Sequence, residues 1–232
     1  KHPPPPRSTP RQGRRQRQMC IRDRFHFNKP FLKPEILWQG DYEDAAISVL
    51  YNKFPFSGYH LLIAISPEEN QPQLMAEDNH QLISSMAVNV AKLVPGFGIG
   101  FNSLAAGASV NHFHAQGFVR QQPFPIEADH WSHNGGTHQY PLAVRHFTNS
   151  VKSWRYLKRL IEEDIAFNCV YRQDSCYVIA REYQGSVSLP DWLNGAGWLD
   201  VAGVMTVSDT ETFDSLAADE IEKGLAILRR PS

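Results

Sequence analysis

The first half of the chain opens with two short apolar segments separated by turn residues. Residues 44–52 carry apolar side chains at every second position, which predicts a half-buried strand. The apolar run 59–65 predicts a second, more deeply buried strand. Pro55 and Gly58 lie between the two segments and favour a turn, so we expect a hairpin with a longer loop.

A longer periodic segment and a second pair of strands follow. Residues 77–94 repeat apolar side chains near helical spacing, and Pro95-Gly96 is a typical helix end. Residues 98–104 and 111–119 predict two strands joined by the small-residue turn 105–110. A hairpin, a helix and another hairpin give an antiparallel sheet with packed helices, so the predicted fold class is α+β.

The second half has a weaker version of the same pattern. Residues 121–148 show no periodicity and contain four histidines and Gly135-Gly136, so we expect a long loop there. The remaining predicted elements are a helix at residues 151–165, a hairpin formed by 166–171 and 175–181, a strand at 198–207 and a closing helix at 210–229.

Charge divides the chain into two unlike parts. Residues 1–24 hold eight Lys or Arg and one Asp, and the remainder holds fifteen Lys or Arg and twenty-three Asp or Glu. The acidic remainder is a poor match for nucleic acid. Residues 1–24 are rich in Pro, Arg and Gln and are expected to be a disordered basic leader, with a nucleic-acid arm as the alternative. Residues 19–24 resemble translated adapter sequence, so this leader is set apart from the fold.

Three regions are therefore predicted: the leader 1–24, a first half 25–148, and a half 149–232 that completes the fold. The chain has no apolar run long enough for a membrane helix and no secretory apolar region. Its three cysteines lack CxxC spacing, which argues against structural disulfides and a cysteine zinc site. A cytoplasmic location is the expectation that follows.

The strongest chemical pattern is Asn111-His112-Phe113-His114-Ala115-Gln116. If this segment is a strand, its two histidines and its glutamine share one face. A neutral imidazole is a competent nucleophile toward phosphorus, and an amide N–H can stabilise a phosphate oxygen. The turn 107–109, Gly-Ala-Ser, leaves backbone N–H groups open to a phosphate. A plain polar sheet surface is the alternative.

Residues 107–116 resemble the active-site strand of the histidine-triad (HIT) superfamily, in the branch where glutamine replaces the third histidine. That branch includes galactose-1-phosphate uridylyltransferase, diadenosine tetraphosphate phosphorylase and the GDP-hexose phosphorylases. Residues 100–104 look most similar to the GDP-hexose phosphorylases, and residues 52–63 to the nucleotide-binding hairpin of the superfamily. The resemblance covers about residues 35–207 and implies a HIT-like antiparallel sheet with packed helices. It also implies that residues 25–148 form a HIT-like nucleotide-binding catalytic half.

The resemblance implies a role for each matching residue. His114 attacks the α-phosphorus and becomes nucleotidylated, Gln116 steadies the intermediate, and His112 orients the nucleophile strand. The expected nucleotide and phosphate contacts are Asn52, Asn102, Ser109 and Asn111. The implied activity is nucleotidyl transfer from a nucleoside diphosphate sugar or dinucleoside polyphosphate to phosphate or a sugar phosphate. A HIT-type hydrolase and a non-catalytic nucleotide-binding protein are the alternatives.

Other residues with chemical potential have plainer interpretations. His130, His133 and His138 could bind a structural metal together with His112, but a solvated loop is favoured, so no metal or cofactor is predicted. His60 is interpreted as a core histidine, and Trp198 as packing. The expected partners are the two substrates; no membrane partner is expected, nucleic acid is disfavoured, and a homodimer stays open.

Overall fold

A computed structural model describes residues 25–230 of the chain, and the predicted leader 1–24 lies outside the described residues. The described chain folds around one eight-stranded antiparallel sheet. Its strands, in chain order, are β1 (Ile36–Tyr42), β2 (Ala45–Tyr51), β3 (Leu61–Ile65), β4 (Phe97–Asn102), β5 (His114–Val119), β6 (Ala143–Phe147), β7 (Ala166–Arg172) and β8 (Ser175–Arg181).

Five α-helices accompany this sheet. They are α1 (Glu77–Leu93), α2 (Ser150–Glu162), α3 (Trp198–Val201), α4 (Thr210–Ser215) and α5 (Ala218–Ile227). Short 3₁₀ helices lie at Pro30–Glu35, Pro67–Glu69, Pro125–Glu127, Ser132–Asn134 and Asp191–Leu193. Within residues 25–230, no helix combines the length and the apolar character that crossing a bilayer requires.

The strand order places the motif strand in the interior of the sheet. The order is β1-β2-β3-β5-β4-β7-β8-β6, so β5 lies between β3 and β4. Leu62 is opposite Gln116 on one side of β5, and Gly100 is opposite Gln116 on the other. Both predicted halves contribute strands, since β6, from the first, pairs with β8, from the second.

The two faces of the sheet are covered by different elements. Helices α1 and α2 pack on one face over a cluster that includes Ile63, Ile99 and Ala115. The other face carries α3 and α5 over a cluster that includes Phe118 and Trp198. Side chains alternate along a strand, so Gln116 lies on the same face as Phe118 and opposite Ala115. This second face therefore carries the polar residues of the motif.

The structure corrects three predicted elements. Residues 198–207 are not a strand: their first four residues form α3, because a short apolar run does not by itself distinguish strand from helix. The long loop 121–148 contains β6, whose burial shows no strict alternation. The closing helix is divided into α4 and α5.

The motif strand also begins later than predicted. It starts at His114, and Asn111, His112 and Phe113 form a bend that leads into it. His114 and Gln116 therefore share a strand face as expected, whereas His112 is placed by the bend. The predicted strands at 44–52, 59–65 and 98–104, the helices at 77–94 and 151–165 and the hairpin at 166–181 are present with slightly different ends.

Candidate active site

A cavity of about 520 Å³ opens on the second face of the sheet, above the start of β5. Its polar lining includes Asn102, Ser109, His114 and Gln116. Its apolar lining consists of aromatic and aliphatic side chains: Phe25, Phe27, Phe31, Leu32, Leu50, Phe54, Phe56, Leu62 and Val110. A cavity that combines a largely apolar lining with a few convergent polar groups is typical of a small-molecule site.

His114 is held in one tautomer. Its Nδ1 lies 2.8 Å from the backbone oxygen of His112, and a carbonyl only accepts, so Nδ1 carries the proton. The lone pair is then on Nε2, the other ring nitrogen, and His114 lines the cavity. Burial lowers the pKa of His114 to about 4, so the ring is neutral at pH 7. A neutral imidazole with a free Nε2 is the form that attacks phosphorus.

The backbone of His114 is fixed by a residue far away in sequence. The side-chain oxygen of Gln73 accepts the N–H of His114 at 2.8 Å, and the side-chain nitrogen donates to the carbonyl of His114 at 2.9 Å. The same nitrogen donates to the backbone oxygen of Asn102 at 3.0 Å. Gln73 is buried and joins the end of β4 to the start of β5, where their direct pairing has ended.

Gln116 lies on the cavity wall with its oxygen held by two donors. The indole nitrogen of Trp198 is 2.6 Å from Oε1, and Nε2 of His60 is 3.0 Å from the same oxygen. The backbone N–H of Phe56 donates to Nδ1 of His60 at 3.3 Å, so the imidazole proton is on Nε2 and donates to Gln116. Burial lowers the pKa of His60, which favours this neutral form. His60 is buried, as predicted, but it contacts the site.

Asn102 ends β4 at the floor of the cavity. Its Oδ1 accepts hydrogen bonds from the side-chain nitrogen of Asn168 and from the backbone N–H of Trp198, each at 2.7 Å. Its Nδ2 lies 3.5 Å from the carbonyl of Gly107, in the small-residue turn. Gly107 has φ of +94°, a conformation that favours glycine, and exposed Ser109 follows on the cavity wall.

His112 and Asn111 support the start of β5 and are not among the residues that line the cavity. The backbone N–H of Phe27 donates to Nδ1 of His112 at 2.7 Å, and the two rings stack with centroids 5.5 Å apart. The ring of Phe27 is also 5.0 Å from that of His114. Oδ1 of Asn111 accepts the backbone N–H of Gln73 at 3.0 Å.

Asn52 lies on the cavity wall at the end of β2. Its Oδ1 accepts the backbone N–H of Phe54 at 3.0 Å, and its Nδ2 is 3.2 Å from Nδ1 of His60. The residue thus stabilises the loop between β2 and β3 while it faces the cavity. Its predicted contact with the nucleotide stays a prediction.

The histidines of the loop before β6 lie apart from His112. Nε2 of His133 is 2.8 Å from the backbone oxygen of Ile126, and the rings of His130 and His138 have centroids 5.6 Å apart. Over residues 25–230, no group of three or more His, Cys, Asp or Glu side chains could hold a metal ion.

Sequence alone did not identify three of the site's supporting residues. Gln73 lies in a segment without a recognisable motif, Asn168 lies where the resemblance to the family is weak, and Trp198 is interpreted from sequence as packing. Each reaches the site through a contact between residues more than forty positions apart. No local signal could have shown these contacts.

Comparison with known proteins gives a consistent result for the first half of the chain. Residues 9–118 match the model of the GDPGP1-like N-terminal domain. The chain is 32% identical over 120 residues to GDP-D-glucose phosphorylase 1 of Macaca fascicularis, which covers 48% of this chain and 30% of that protein. It is 33% identical over 87 residues to GDP-L-galactose phosphorylase 1 of Arabidopsis thaliana, which covers 38% of this chain and 19% of that one. The matched region therefore spans less than a third of these relatives.

The fold as a whole is similar to that of a solved phosphorylase. Yeast Ap4A phosphorylase Apa2 in complex with AMP superposes with a TM-score of 0.63 at 17% identity, covering 87% of this chain and 80% of that chain. The complex of the same enzyme with Ap4A gives a TM-score of 0.61 and 16% identity, covering 92% and 84%. The predicted HIT-like α+β fold is thereby confirmed.

Proposed function

We propose that this chain, whose fold is HIT-like and whose residues 9–118 match the GDPGP1-like N-terminal domain, transfers a nucleotide through a covalent intermediate on His114. The observation that carries the proposal is the tautomer of His114, whose Nδ1 proton is held by the His112 carbonyl. That bond leaves Nε2 unprotonated on the cavity wall. The donor is a nucleoside diphosphate sugar or a dinucleoside polyphosphate, and the acceptor is inorganic phosphate or a sugar phosphate.

The first step forms one bond and breaks one. Nε2 of His114 attacks the α-phosphorus, an N–P bond forms, and the P–O bond to the leaving group breaks. With GDP-glucose the leaving group is glucose 1-phosphate. The nucleotidylated ring would carry a positive charge while Nδ1 keeps its proton, and the His112 oxygen, 2.8 Å from Nδ1, stabilises that cation.

The second step returns the enzyme to its starting state. An oxygen of the acceptor attacks the same phosphorus, the N–P bond breaks, and Nε2 recovers its lone pair. Inorganic phosphate as acceptor yields GDP from a guanylated His114. Two displacements at one histidine predict ping-pong kinetics.

The residues around His114 suit a phosphate that gains negative charge during transfer. Gln116 and Asn102 have their oxygens bonded to protein donors, so each retains an NH₂ group as a donor. The turn 107–109 adds small residues whose backbone can approach an anion. Donors fixed in a buried site stabilise a developing oxyanion more than water does.

The apolar part of the cavity suits the base of a nucleotide. Phe25, Phe27 and Phe31 contribute aromatic rings next to the polar floor. A flat aromatic base buries its faces favourably against such side chains. The relatives named GDP-D-glucose phosphorylase and GDP-L-galactose phosphorylase support a GDP-hexose as the first substrate to test.

The proposal is tested by following products with and without inorganic phosphate. The protein is incubated with GDP-glucose, UDP-glucose, ADP-glucose or diadenosine tetraphosphate, and the nucleotides are separated by anion-exchange chromatography. We expect a nucleoside diphosphate to form from one of these four donors only when phosphate is present. Nucleoside monophosphate formed without phosphate would support a hydrolase instead, and binding without turnover would support a nucleotide-binding protein.

A further inference from the structure

The orientation of the Gln116 side chain follows from the chemistry of its neighbour. The indole N–H of Trp198 can only donate, so the atom 2.6 Å away must be the oxygen of the carboxamide. His60 donates to the same oxygen at 3.0 Å, which strengthens the assignment. The NH₂ group of Gln116 is consequently the part of the carboxamide left for a ligand in the cavity.

The same argument fixes the orientation of the Asn102 carboxamide, and Trp198 is again the donor. The backbone N–H of Trp198 lies 2.7 Å from Oδ1 of Asn102, and a backbone N–H also only donates. Asn168 donates to that oxygen as well, at 2.7 Å. The NH₂ group of Asn102 is therefore turned to the side of Gly107, on the cavity wall.

Trp198 is itself held firmly in place. It is fully buried, stacks on Phe118 at 4.8 Å, and meets the ring of Phe124 edge-on at 6.0 Å. Gly100 leaves the room for this ring, because a Cβ there would collide with Cδ2 of Trp198. A donor on so constrained a ring cannot follow the carboxamide if that group rotates.

We propose that Trp198 is a positioning residue that holds the carboxamides of Gln116 and Asn102 with both NH₂ groups toward the transferred phosphate. The inference rests on the proposed function. Its physical content is preorganisation: donors that are already oriented need no rearrangement as charge develops on phosphorus. It also gives the first residue of α3, eighty positions beyond the matched domain, a part in the site.

The contact between the Trp198 side chain and Gln116 is tested by removing only the indole N–H. Trp198 is replaced by β-(3-benzothienyl)alanine, in which sulfur takes the place of the N–H, and in parallel by Phe. With GDP-glucose in the absence of phosphate, we expect formation of the nucleotidyl adduct to slow by about tenfold or more, since one fixed oxyanion donor contributes about 10²–10³ in rate. In steady-state phosphorolysis with inorganic phosphate present, the KM for GDP-glucose should change much less than kcat.

A double-mutant cycle separates positioning from general structure. In a Gln116→Ala background, the benzothienylalanine replacement should alter the rate less than twofold, because the partner of the indole N–H is gone while the backbone N–H that bonds to Asn102 is unchanged. Trp131→Phe is the matched control, since its indole N–H also donates to an oxygen, that of Pro125 at 2.7 Å, but away from the cavity. That control should keep wild-type kinetics.

The possible results distinguish the two proposals. An active wild type whose benzothienylalanine variant is equally fast overturns the role of Trp198 and leaves the proposed function standing. An equal loss of rate in the wild-type and Gln116→Ala backgrounds also overturns that role, because it indicates a structural effect. A wild type without adduct or turnover on any of the four substrates overturns the proposed function and the inference with it.

Discussion

The carboxamide of Gln73 bonds to both backbone groups of His114, accepting its N–H at 2.8 Å and donating to its carbonyl at 2.9 Å. The side chain therefore replaces a neighbouring strand at the point where β5 begins. These contacts fix the backbone from which the imidazole projects. The proposed nucleophile thus depends on a buried residue from the loop before α1.

Replacement of Gln73 by Leu should destabilise the protein. The change leaves the N–H and carbonyl of His114 without these partners in a buried setting, at a cost of about 1–3 kcal/mol for each unsatisfied group. We expect the free energy of unfolding in urea to fall by about 2–5 kcal/mol on this basis. Exposed Gln39, which bonds to Ser48, is the matched control, and Gln39→Leu should shift stability by less than about 0.5 kcal/mol. Equal stability of the two variants would contradict this account of Gln73.

Stability should decrease as the solution becomes acidic. Burial lowers the pKa of His114 and of His80 from 6.5 to about 4, so the unfolded chain binds more protons than the folded one between these values. The contribution of these two neutral histidines to the free energy of unfolding is complete above pH 6.5 and is lost progressively as the pH falls toward 4. Unfolding in urea at pH 7.5, 6 and 5 should show this decrease, and His80→Gln should make it shallower. A free energy of unfolding that rises as the pH falls toward 5 would contradict this expectation.

Substitution of the oriented carboxamides by carboxylates should reduce activity strongly. Gln116→Glu and Asn102→Asp keep an oxygen that accepts from Trp198 but exchange the NH₂ donor for a negative oxygen. Loss of one donor to a developing oxyanion typically costs about 10²–10³ in kcat, and repulsion of the phosphate adds to the loss. Steady-state phosphorolysis measures the effect. A variant within threefold of wild type would exclude that carboxamide as a phosphate donor.

The ion pair between buried Arg172 and partly buried Glu127 should matter for stability. Nη1 of Arg172 lies 3.0 Å from the Glu127 carboxylate, and its guanidinium also donates to the carbonyls of Arg120 and Gln122. Glu127→Gln leaves a largely buried guanidinium without its counter-charge, at a cost of about 3–5 kcal/mol by analogy with broken buried pairs.

The exposed pair between Lys223 and Asp219 is the control for that measurement. Both groups are in solvent, so Asp219→Asn should leave the urea midpoint unchanged. A Glu127→Gln variant as stable as the Asp219→Asn variant would show that Arg172 needs no counter-charge.

The sequence was most informative where local periodicity and burial coincide. The strand β2 and the helices α1 and α2 were predicted because each has one consistently apolar face, and β3 was predicted from its continuous apolar run. His114 and Gln116 were placed on a shared face by simple alternation, and the structure has them on one cavity wall.

The parts that sequence missed depend on contacts across the chain. Trp198 begins a short helix whose apolar run gave no period, and its indole reaches Gln116 over eighty-two positions. Gln73 lies in a polar loop that gives no sign of a buried carboxamide. Tertiary packing decides such positions, and local pattern does not encode it.

The most direct test of the account is intact-protein mass spectrometry after mixing the protein with GDP-glucose in the absence of phosphate. We predict a mass gain of one guanosine monophosphate that is labile in acid, absent in His114→Ala, and lost when inorganic phosphate is added. UDP-glucose, ADP-glucose and diadenosine tetraphosphate are tested in the same way to identify the base. An adduct that persists in a folded His114→Ala variant, or phosphorolysis that proceeds in that variant above a tenth of the wild-type rate, would contradict the central role of His114.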